Sequence, residues 1–381
     1  MSTIPKQSSP EEIIPLIDLS SDDAHVKEEI LSAMTDLMGR SAYIGGKVVD
    51  SFESAFAEFC GVSHCVGVAN GTDALILSLR ALGIGSGDEV IVPAYTFIAT
   101  AAAVALTGAK PVFADITNLS LTLNPQAVER AITSKTKAII PVHLYGHPAD
   151  MDSLCSIAQS HKIDVIEDAA QAHGSLYKDK PAGSIGKLAT FSFYPAKNLG
   201  AYGDGGAVVT NDPEIAEKIR RIANHGRTVH YLHGEIGTNS RLDALQAAVL
   251  NIKLPHMREN IKLRRALAAF YNNLLSQTKG LQLPHEEAWA KSAWHLYVVR
   301  SNFRDTLIER LKENGIMAYA PYPLPLHLQD AFSSLGYSVG DFPIAERVAN
   351  EVASLPFYPS MSQKQAERVA QVISEELITI K

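Results

Sequence analysis

The stretch TFSFYPAKNLGAYGDGGAVVT, residues 190–210, decides how the rest of the sequence is interpreted. It begins with an alternating apolar run and ends with a second strand-like run at residues 207–209. Between these runs, Lys197 lies in a loop rich in glycine, tyrosine and asparagine, where Pro195 prevents a helix. Taken alone, the stretch fits a solvated lysine as well as a reactive amine.

A carboxylate upstream favours the reactive amine. Asp168 follows the apolar strand predicted at residues 165–166. A pyridoxal phosphate (PLP) enzyme needs a lysine that forms a Schiff base and an acid that keeps the pyridine nitrogen protonated. Gln171, three residues further on, is placed to reach the 3-hydroxyl of the ring. Asp168 is also compatible with a strand-end turn or a helix N-cap, so its pairing with Lys197 is a hypothesis at this point.

Short apolar strands alternate with helices between residues 65 and 166. The predicted strands are 65–68, 90–92, 111–113, 138–142 and 165–166, and the predicted helices are 74–82, 96–106, 125–132 and 151–160. Continuous apolar strands in this rhythm predict an α/β fold with a mostly parallel sheet covered on both faces. Ligands of such sheets bind at the carboxyl ends of the strands, where the segments of Asn70, Tyr95, Asp168 and Lys197 fall.

The flanking regions predict a second, smaller unit. A polar tail is expected at residues 1–10, and a loop at 225–239. The further predicted helices are 23–38, 48–59, 213–223, 242–252, 257–275, 304–313, 342–353 and 363–376, with strands at 294–299 and from 315. These patterns predict a large domain over residues 12–255 and a smaller α+β domain over 256–381.

Other residues at the strand ends suggest how a phosphate and a ring are held. Gly71 and Thr72 stand at a predicted helix start, where free N–H groups and the helix dipole favour an anion, although an ordinary capped helix explains them equally. Ser192 precedes the lysine loop and offers a hydroxyl to the phosphate. The segment 93–97 places an aromatic residue near the ring, with a core aromatic as the alternative.

Composition narrows the class of protein. The net charge of -7 gives no support for binding to nucleic acid or to a membrane surface. Three cysteines lack the spacing of a metal site, and no signal peptide is recognisable, so a cytoplasmic location is expected. The loop containing His225, His230 and His233 lacks an acidic cluster and is therefore a poor candidate for a metal site.

Five motifs together resemble the DegT/DnrJ/EryC1/StrS family of PLP-dependent aminotransferases, which act mostly on nucleotide-linked keto sugars. The motifs are NGTDAL (70–75), PAYTFIAT (93–100), EDAAQAHG (167–174), FSFYPAKNLGAYGDGGAVVT (191–210) and GTNSRLDALQAAVL (237–250). The resemblance covers about residue 17 to the C-terminus. It implies the fold type I, aspartate-aminotransferase-like architecture, with a large and a small domain.

The resemblance also implies individual roles. It assigns the Schiff base to Lys197, the pyridine nitrogen to Asp168 and the 3-hydroxyl to Gln171, and it implies a homodimer with shared sites. By the same resemblance, Gly71, Thr72 and Ser192 contact the phosphate, Phe97 stacks on the ring, and Asn239 reaches the phosphate in the neighbouring subunit. Our candidate substrate contacts are Tyr43, His233, Arg241, Tyr322 and His327.

The lysine loop, the segment 239–248 and the segment 322–329 resemble members that aminate C3 of the hexose. Where that group commonly has a histidine before Tyr-Pro, this chain has Pro321, which leaves the sugar open. The predicted reaction transfers an amine from a glutamate-type donor to C3 of a dTDP- or UDP-linked 3-keto hexose. The alternatives are a C4-specific or cyclitol aminotransferase of the family, or a PLP-binding regulator without turnover. Lys197 argues against the dehydratase variant, which has histidine there.

Overall fold

A computed structural model describes residues 13–379, so the tail predicted at residues 1–10 lies outside the described residues. The helices are α1 Leu19–Asp22, α2 Lys27–Gly39, α3 Lys47–Cys60, α4 Gly71–Ala81, α5 Ala99–Leu106, α6 Pro125–Ala131, α7 Met151–His161, α8 Pro213–Ala223, α9 Ala244–Lys253, α10 Met257–Leu275, α11 Arg304–Glu313, α12 Pro343–Glu351 and α13 Gln363–Thr379. The strands are β1 His64–Val68, β2 Glu89–Pro93, β3 Lys110–Ala114, β4 Thr136–Ile139, β5 Asp164–Asp168, β6 Leu176–Tyr177, β7 Lys180–Pro181, β8 Leu188–Ser192, β9 Gly206–Thr210, β10 Arg227–Val229, β11 Leu232–His233, β12 Ala290–Lys291, β13 Tyr297–Arg300 and β14 Val352–Leu355.

The central sheet has seven strands in the order β1-β9-β8-β5-β4-β2-β3. Strands β8, β5, β4, β2 and β3 run parallel to one another, whereas β9 is antiparallel to both β8 and β1. The prediction of an α/β fold with a mostly parallel mixed sheet is confirmed. This order brings the carboxyl ends of β2, β5 and β8 to one edge of the sheet, as the sequence predicts.

Local capping explains why several helices begin and end where the sequence predicts. Asn124 and Asp212 each accept hydrogen bonds from the first-turn N–H groups of α6 and α8, and each helix has proline at its first position. Gly61 ends α3 with a φ of 68°, in the left-handed region that glycine tolerates best. Helices α8, α10 and α11 have the predicted bounds.

The C-terminal region differs from the prediction in its strands. The helix predicted at 342–353 ends at Glu351, because the following residues form β14 and pair antiparallel with β13. The strand predicted at 294–299 begins only at Tyr297. Ile316 makes a single bridge with Ile14 where a strand was predicted to start. Long-range pairing of this kind leaves no periodic signal in the sequence.

A cluster of apolar side chains packs α10, α11 and α13 against β13 and β14. Ile14 from the N-terminal region belongs to this cluster, and Val298 from β13 belongs to the core beside the central sheet. The two predicted units therefore share apolar contacts, and the boundary at residue 255 stays a prediction.

The predicted loop at 225–239 contains a β-hairpin, formed by β10 and β11. The strands are too short and too polar for a period of two to be visible in the sequence. A small sheet of β12, β6 and β7 was likewise not predicted. Among the helices described, none combines the length and the apolar character that crossing a membrane requires.

Candidate active site

A cavity of about 600 Å³ opens at the carboxyl-end edge of the central sheet. Its wall is built by the first turn of α4, the segment before α5, the end of β5, the lysine loop and the segment around residue 320. The lining residues are Ile17, Asn70, Gly71, Thr72, Leu75, Thr96, Phe97, Ala99, Val142, Asp168, Ala170, Gln171, Ser192, Tyr194, Ala196, Lys197, Asp204, His295, Leu296, Tyr319 and Tyr322. Four of the five motifs therefore contribute residues to one cavity, whereas the motif at 237–250 contributes none to its lining.

Lys197 lies in the loop that joins β8 to β9, and its backbone N–H donates to the carbonyl of Tyr194 at 2.8 Å. Burial lowers the pKa of the Lys197 ammonium to about 8, and the Asp168 carboxylate opposes part of that shift. An amine with this pKa has a far larger unprotonated fraction near neutral pH than an ordinary lysine, and the unprotonated form is the nucleophile. The solvated-charge interpretation does not fit these surroundings.

Asp168 is the last residue of β5 and is buried. Its Oδ2 accepts from the Thr100 hydroxyl at 2.8 Å, and its Oδ1 accepts from the Ala170 N–H at 3.2 Å. Burial raises the pKa of Asp168, whereas the hydrogen bonds from Thr100 and Ala170 and the charge of Lys197 lower it. The result is a carboxylate fixed in orientation at the cavity wall, where a cationic ring nitrogen would be its natural partner.

Gln171 is held by two different neighbours. Its Oε1 accepts from the backbone N–H of Tyr145 at 2.7 Å, and its Nε2 donates to the hydroxyl of Tyr322 at 2.8 Å. The Tyr145 hydroxyl in turn lies 2.9 Å from that of Tyr95, which donates to the carbonyl of Pro321. This network ties the segment around residue 320 to the strand ends and leaves one amide hydrogen of Gln171 for a ligand.

The first turn of α4 forms the end of the cavity suited to a phosphate. The Asn70 side chain caps the helix by accepting from the N–H of Asp73 at 2.8 Å. The N–H groups of Gly71 and Thr72 have no acceptor within the helix because they lie in its first turn. A Cβ on Gly71 would approach Cβ of Ser192 to 2.8 Å, so only glycine permits this close approach of helix and strand.

Two residues of the segment before α5, Phe97 and Thr96, line the cavity. Phe97 is 52% exposed although it is apolar, and its ring lies 6.1 Å from that of Tyr322. Thr96 is buried, and its hydroxyl has no hydrogen-bond partner among the described residues. Buried polar atoms are nearly always partnered in native proteins, so this hydroxyl indicates a missing ligand.

A second buried carboxylate, Glu167, lies on the opposite face of β5. Glu167 accepts from His143 Nε2 at 2.9 Å and from the N–H groups of Gly183, Ile185 and Gly186 at 2.6–2.8 Å. Burial alone raises the pKa of Glu167, but these donors hold it below its ordinary value. Because neighbouring residues of a strand face opposite sides, Glu167 anchors a loop while Asp168 faces the cavity.

The structure does not bring every predicted residue to this cavity. Tyr43, His233, Arg241 and Asn239 lie outside its lining within the described chain, and Tyr43, His233 and Asn239 are exposed. His327 is buried against Glu346 at 3.1 Å and beside Phe342, so its position in the single chain does not support a substrate contact. Among the described residues, no group of His, Cys, Asp and Glu is arranged to hold a metal ion.

Sequence reasoning missed three residues of the site, namely Thr100, Tyr145 and His295. Thr100 stood inside the motif PAYTFIAT, so its link to Asp168 could have been suspected. Tyr145 adopts a left-handed φ of 58°, and His295 reaches the cavity from just before β13. Neither position gives a local signal in the sequence.

The cavity fits PLP. It offers a phosphate end at Gly71, Thr72 and Ser192, an aromatic residue in Phe97, and an unpartnered hydroxyl in Thr96. It also contains a half-buried amine and a buried carboxylate. Acid, amine and anion cradle are the three features that this cofactor requires.

Comparison with known proteins agrees with this geometry. The profile of the DegT/DnrJ/EryC1/StrS aminotransferase family matches residues 24–374. A relative from Geobacillus stearothermophilus, called a pleiotropic regulatory protein, is 46% identical, and the match covers 95% of this chain and 98% of that one.

A second relative and a solved structure are named for an activity. The dTDP-3-amino-3,4,6-trideoxy-alpha-D-glucose transaminase of Streptomyces venezuelae is 45% identical over 95% of this chain and 96% of its own length. The crystal structure of S. venezuelae DesV, described as a complex with a ketimine intermediate, superposes with a TM-score of 0.94 at 45% identity. That match covers 96% of this chain and 98% of DesV.

Proposed function

The chain belongs to the DegT/DnrJ/EryC1/StrS aminotransferase family and is a PLP-dependent aminotransferase of fold type I, and on that premise we propose its substrates. The amino donor is glutamate, and the acceptor is the C3 carbonyl of a dTDP- or UDP-linked 3-keto hexose. The observation that carries this proposal is that the half-buried Lys197 and the buried Asp168 line one cavity large enough for cofactor and sugar together.

We assign tasks in this reaction to Lys197, Asp168 and Thr100. PLP, when bound, supplies an electron sink for the carbon that carries the amine. Lys197 Nζ would take up and release the proton of the substrate carbon, and its pKa of about 8 suits both near neutral pH. Asp168 keeps its negative charge beside the ring nitrogen, and Thr100 holds Asp168 in place.

The choice of C3 is supported by the lysine loop, by the segments at 239–248 and 322–329, and by the name of the Streptomyces relative. Tyr322 in the cavity wall fits a role in substrate binding. Pro321 differs from the histidine usual in that group, and its carbonyl accepts from Tyr95. We therefore propose the position of amination and leave the hexose open.

A homodimer is part of the proposal, because the cavity is poor in cations. Lys197 is the single lysine or arginine among the described lining residues, and it serves the chemistry. A diphosphate substrate needs further positive groups, which a second copy would supply. The hairpin β10–β11 fits that role, because Tyr231 and Ile236 are 81% and 87% exposed and lie close to Arg227 and His233 in the chain. Asn239 is proposed to reach the partner's phosphate site, and the cytoplasmic location stays a prediction.

Matched thymidine-diphosphate 3-keto and 4-keto sugars, incubated with enzyme and glutamate, test the proposal. A shift by one ring carbon displaces the reacting atom by more than the roughly 1 Å that costs about 100-fold in rate. We expect amination at C3 with at least that preference, identified by NMR of the product. Amination at C4 alone would refute the C3 assignment, and a cyclitol acceptor would refute the sugar assignment.

A PLP-binding regulator is the second candidate, because a relative of 46% identity is called a regulatory protein. The presence of Lys197, Asp168 and Gln171 in one cavity argues for turnover. The two functions differ in a half-reaction: an aminotransferase converts bound PLP to pyridoxamine phosphate when glutamate is added. Absence of that conversion with every amino donor would favour the regulator.

A further inference from the structure

His295 lies in the wall of the cavity, in a segment fixed on both sides. Its backbone N–H donates to the carbonyl of Tyr145 at 2.9 Å, and its own carbonyl accepts from Arg264. The side chain is 7% exposed and lines the cavity together with Lys197. The imidazole is therefore held in a defined position in the wall of the cavity.

The hydrogen bonds of Asn198 determine which ring nitrogen of His295 carries the proton. Asn198 Nδ2 donates to the carbonyl of Ala293 at 2.9 Å, which can only accept. The Oδ1 of the same amide must then face His295, whose Nδ1 lies 3.3 Å away. An amide oxygen can only accept, so Nδ1 carries the hydrogen and Nε2 presents a lone pair.

The imidazole is also uncharged. Burial lowers the pKa of His295 well below its ordinary value, and the nearby positive charges of Lys197 and Arg264 lower it further. Among residues 13–379, Nε2 has no hydrogen-bond partner. The cavity wall thus contains a neutral acceptor that is free to receive a hydrogen bond from a ligand.

We propose that Nε2 of His295 accepts a hydrogen bond from a hydroxyl group of the sugar, next to the carbonyl that is aminated. The inference rests on the proposed function. Two other donors would already be committed, because Asp168 would hold the ring N–H of the cofactor and Lys197 would serve proton transfer. Hydroxyl groups flank the carbonyl of a keto hexose, so the substrate supplies the missing donor. His295 is then a specificity-determining residue that selects a hydroxylated carbon over a deoxygenated one.

Two substitutions separate this role from a structural one. His295→Asn retains an amide donor for Asn198 near the position of Nδ1 but lacks an acceptor at the position of Nε2. His295→Gln extends an amide oxygen towards the position of Nε2. We expect the Asn variant to lose about ten-fold in kcat/KM for the keto sugar, the worth of one lost hydrogen bond, and the Gln variant to recover part of it.

Single-turnover measurements of the two half-reactions give the decisive readout. In His295→Asn the sugar half-reaction should lose clearly more than the glutamate half-reaction, and thermal stability and PLP absorbance should stay close to those of the wild type. Wild-type enzyme should disfavour a 3-keto sugar that lacks the contacted hydroxyl, and this preference should disappear in His295→Asn. Nitrogen NMR of histidine-labelled enzyme should show an unprotonated Nε2 that shifts when the nucleotide sugar binds.

Three results would overturn the inference. They are an unchanged sugar half-reaction in His295→Asn, an equal loss in both half-reactions, and a proton on Nε2 in the wild type. If wild-type enzyme aminates no keto sugar at all, the proposed function fails and the inference fails with it. That outcome is distinct from amination at equal rates by wild type and variant, which overturns the inference alone.

Discussion

Two regions of the molecule prepare for a substrate in opposite ways. The strand-end wall, meaning Gly71, Thr100, Asp168 and Lys197, is built within one chain. Thr100 holds the carboxylate of Asp168, the backbone of Lys197 is hydrogen-bonded within its loop, and the start of α4 packs closely on Ser192 at Gly71. The hairpin β10–β11 is unfinished, because Tyr231 and Ile236 project apolar surface into solvent. Apolar side chains exposed in this way are typical of a surface that another protein covers.

The comparison of the strand-end wall with the hairpin indicates that chemistry and substrate recognition are located in different parts of this fold. Groups that act on the cofactor lie at the ends of packed strands, where burial shifts their pKa values and fixes their positions. Groups proposed to hold the anionic part of the substrate lie on the hairpin and depend on a second chain. Damage to the wall should therefore abolish chemistry in each subunit, whereas damage to the hairpin should be repairable by a partner.

Replacing Lys197 gives the largest expected effect. Lys197→Ala should lose turnover by about 10⁴-fold, because the proton carrier is removed together with the covalent anchor. Lys187→Ala is the matched control, since that lysine is a surface residue paired with Asp164. Borohydride should fix the cofactor on Lys197 of the wild type, and a peptide map showing the adduct on another lysine would contradict the assignment.

Replacing Asp168 tests whether the wall works through charge. Asp168→Asn should form the Schiff base but lose about 10²–10³-fold in turnover, because an amide cannot neutralise a protonated ring. The carboxylate raises the pKa of Lys197, so its removal should move that pKa below about 8. NMR titration of the apo-enzyme, labelled by reductive methylation, measures this shift. Asp164→Asn, at the other end of β5, is the control. An unchanged pKa of Lys197 in Asp168→Asn would show that Asp168 only caps the end of its strand.

Replacing Thr100 should have a smaller effect. Thr100→Val keeps the shape of the side chain but removes the hydrogen bond to Asp168, at a cost of about ten-fold in kcat. Thr100→Ser should restore most of the activity, and Thr107→Val, directly after the end of the same helix, should leave activity unchanged. Equal activity of the Val and Ser variants would show that the hydroxyl only fills space.

Mixing subunits gives the smallest expected signal, but it tests directly whether a second chain contributes to the site. Inactive Lys197→Ala and Asn239→Ala chains, allowed to exchange, should regain about a quarter of wild-type activity. The reason is that half of the dimers are mixed, and one of the two sites in each is intact. Demonstrated exchange without recovery would mean that each site is built from one chain.

The sequence was most informative where local chemistry and packing agree. The bounds of α8, α10 and α11 follow from apolar periodicity, supported at the start of α8 by the Asp212 cap. Asp168, Gln171 and Lys197 were found because strand ends converge in a parallel sheet. Their individual roles stay predictions.

The features of the fold and the site that the sequence did not predict depend on contacts between distant parts of the chain. Strand β14 forms because β13 lies beside it, so Val352 was assigned to the preceding helix. The acceptor on His295 depends on Asn198 and Ala293, which are far apart in the chain. His327 resembled a substrate ligand in its motif, but burial beside Glu346 places it elsewhere.

The two adjacent carboxylates of β5 have a consequence for how this protein tolerates mutation. Glu167 satisfies His143 and three backbone N–H groups, so its loss would leave a buried network unpaired at a cost of about 3–5 kcal/mol. That is a large share of the roughly 5–15 kcal/mol that keeps a domain folded. A survey of variants that scores abundance separately from turnover should therefore separate these neighbours. Changes at position 167 should lower the abundance of the protein in the cell. Changes at position 168 should leave the abundance unchanged but abolish turnover.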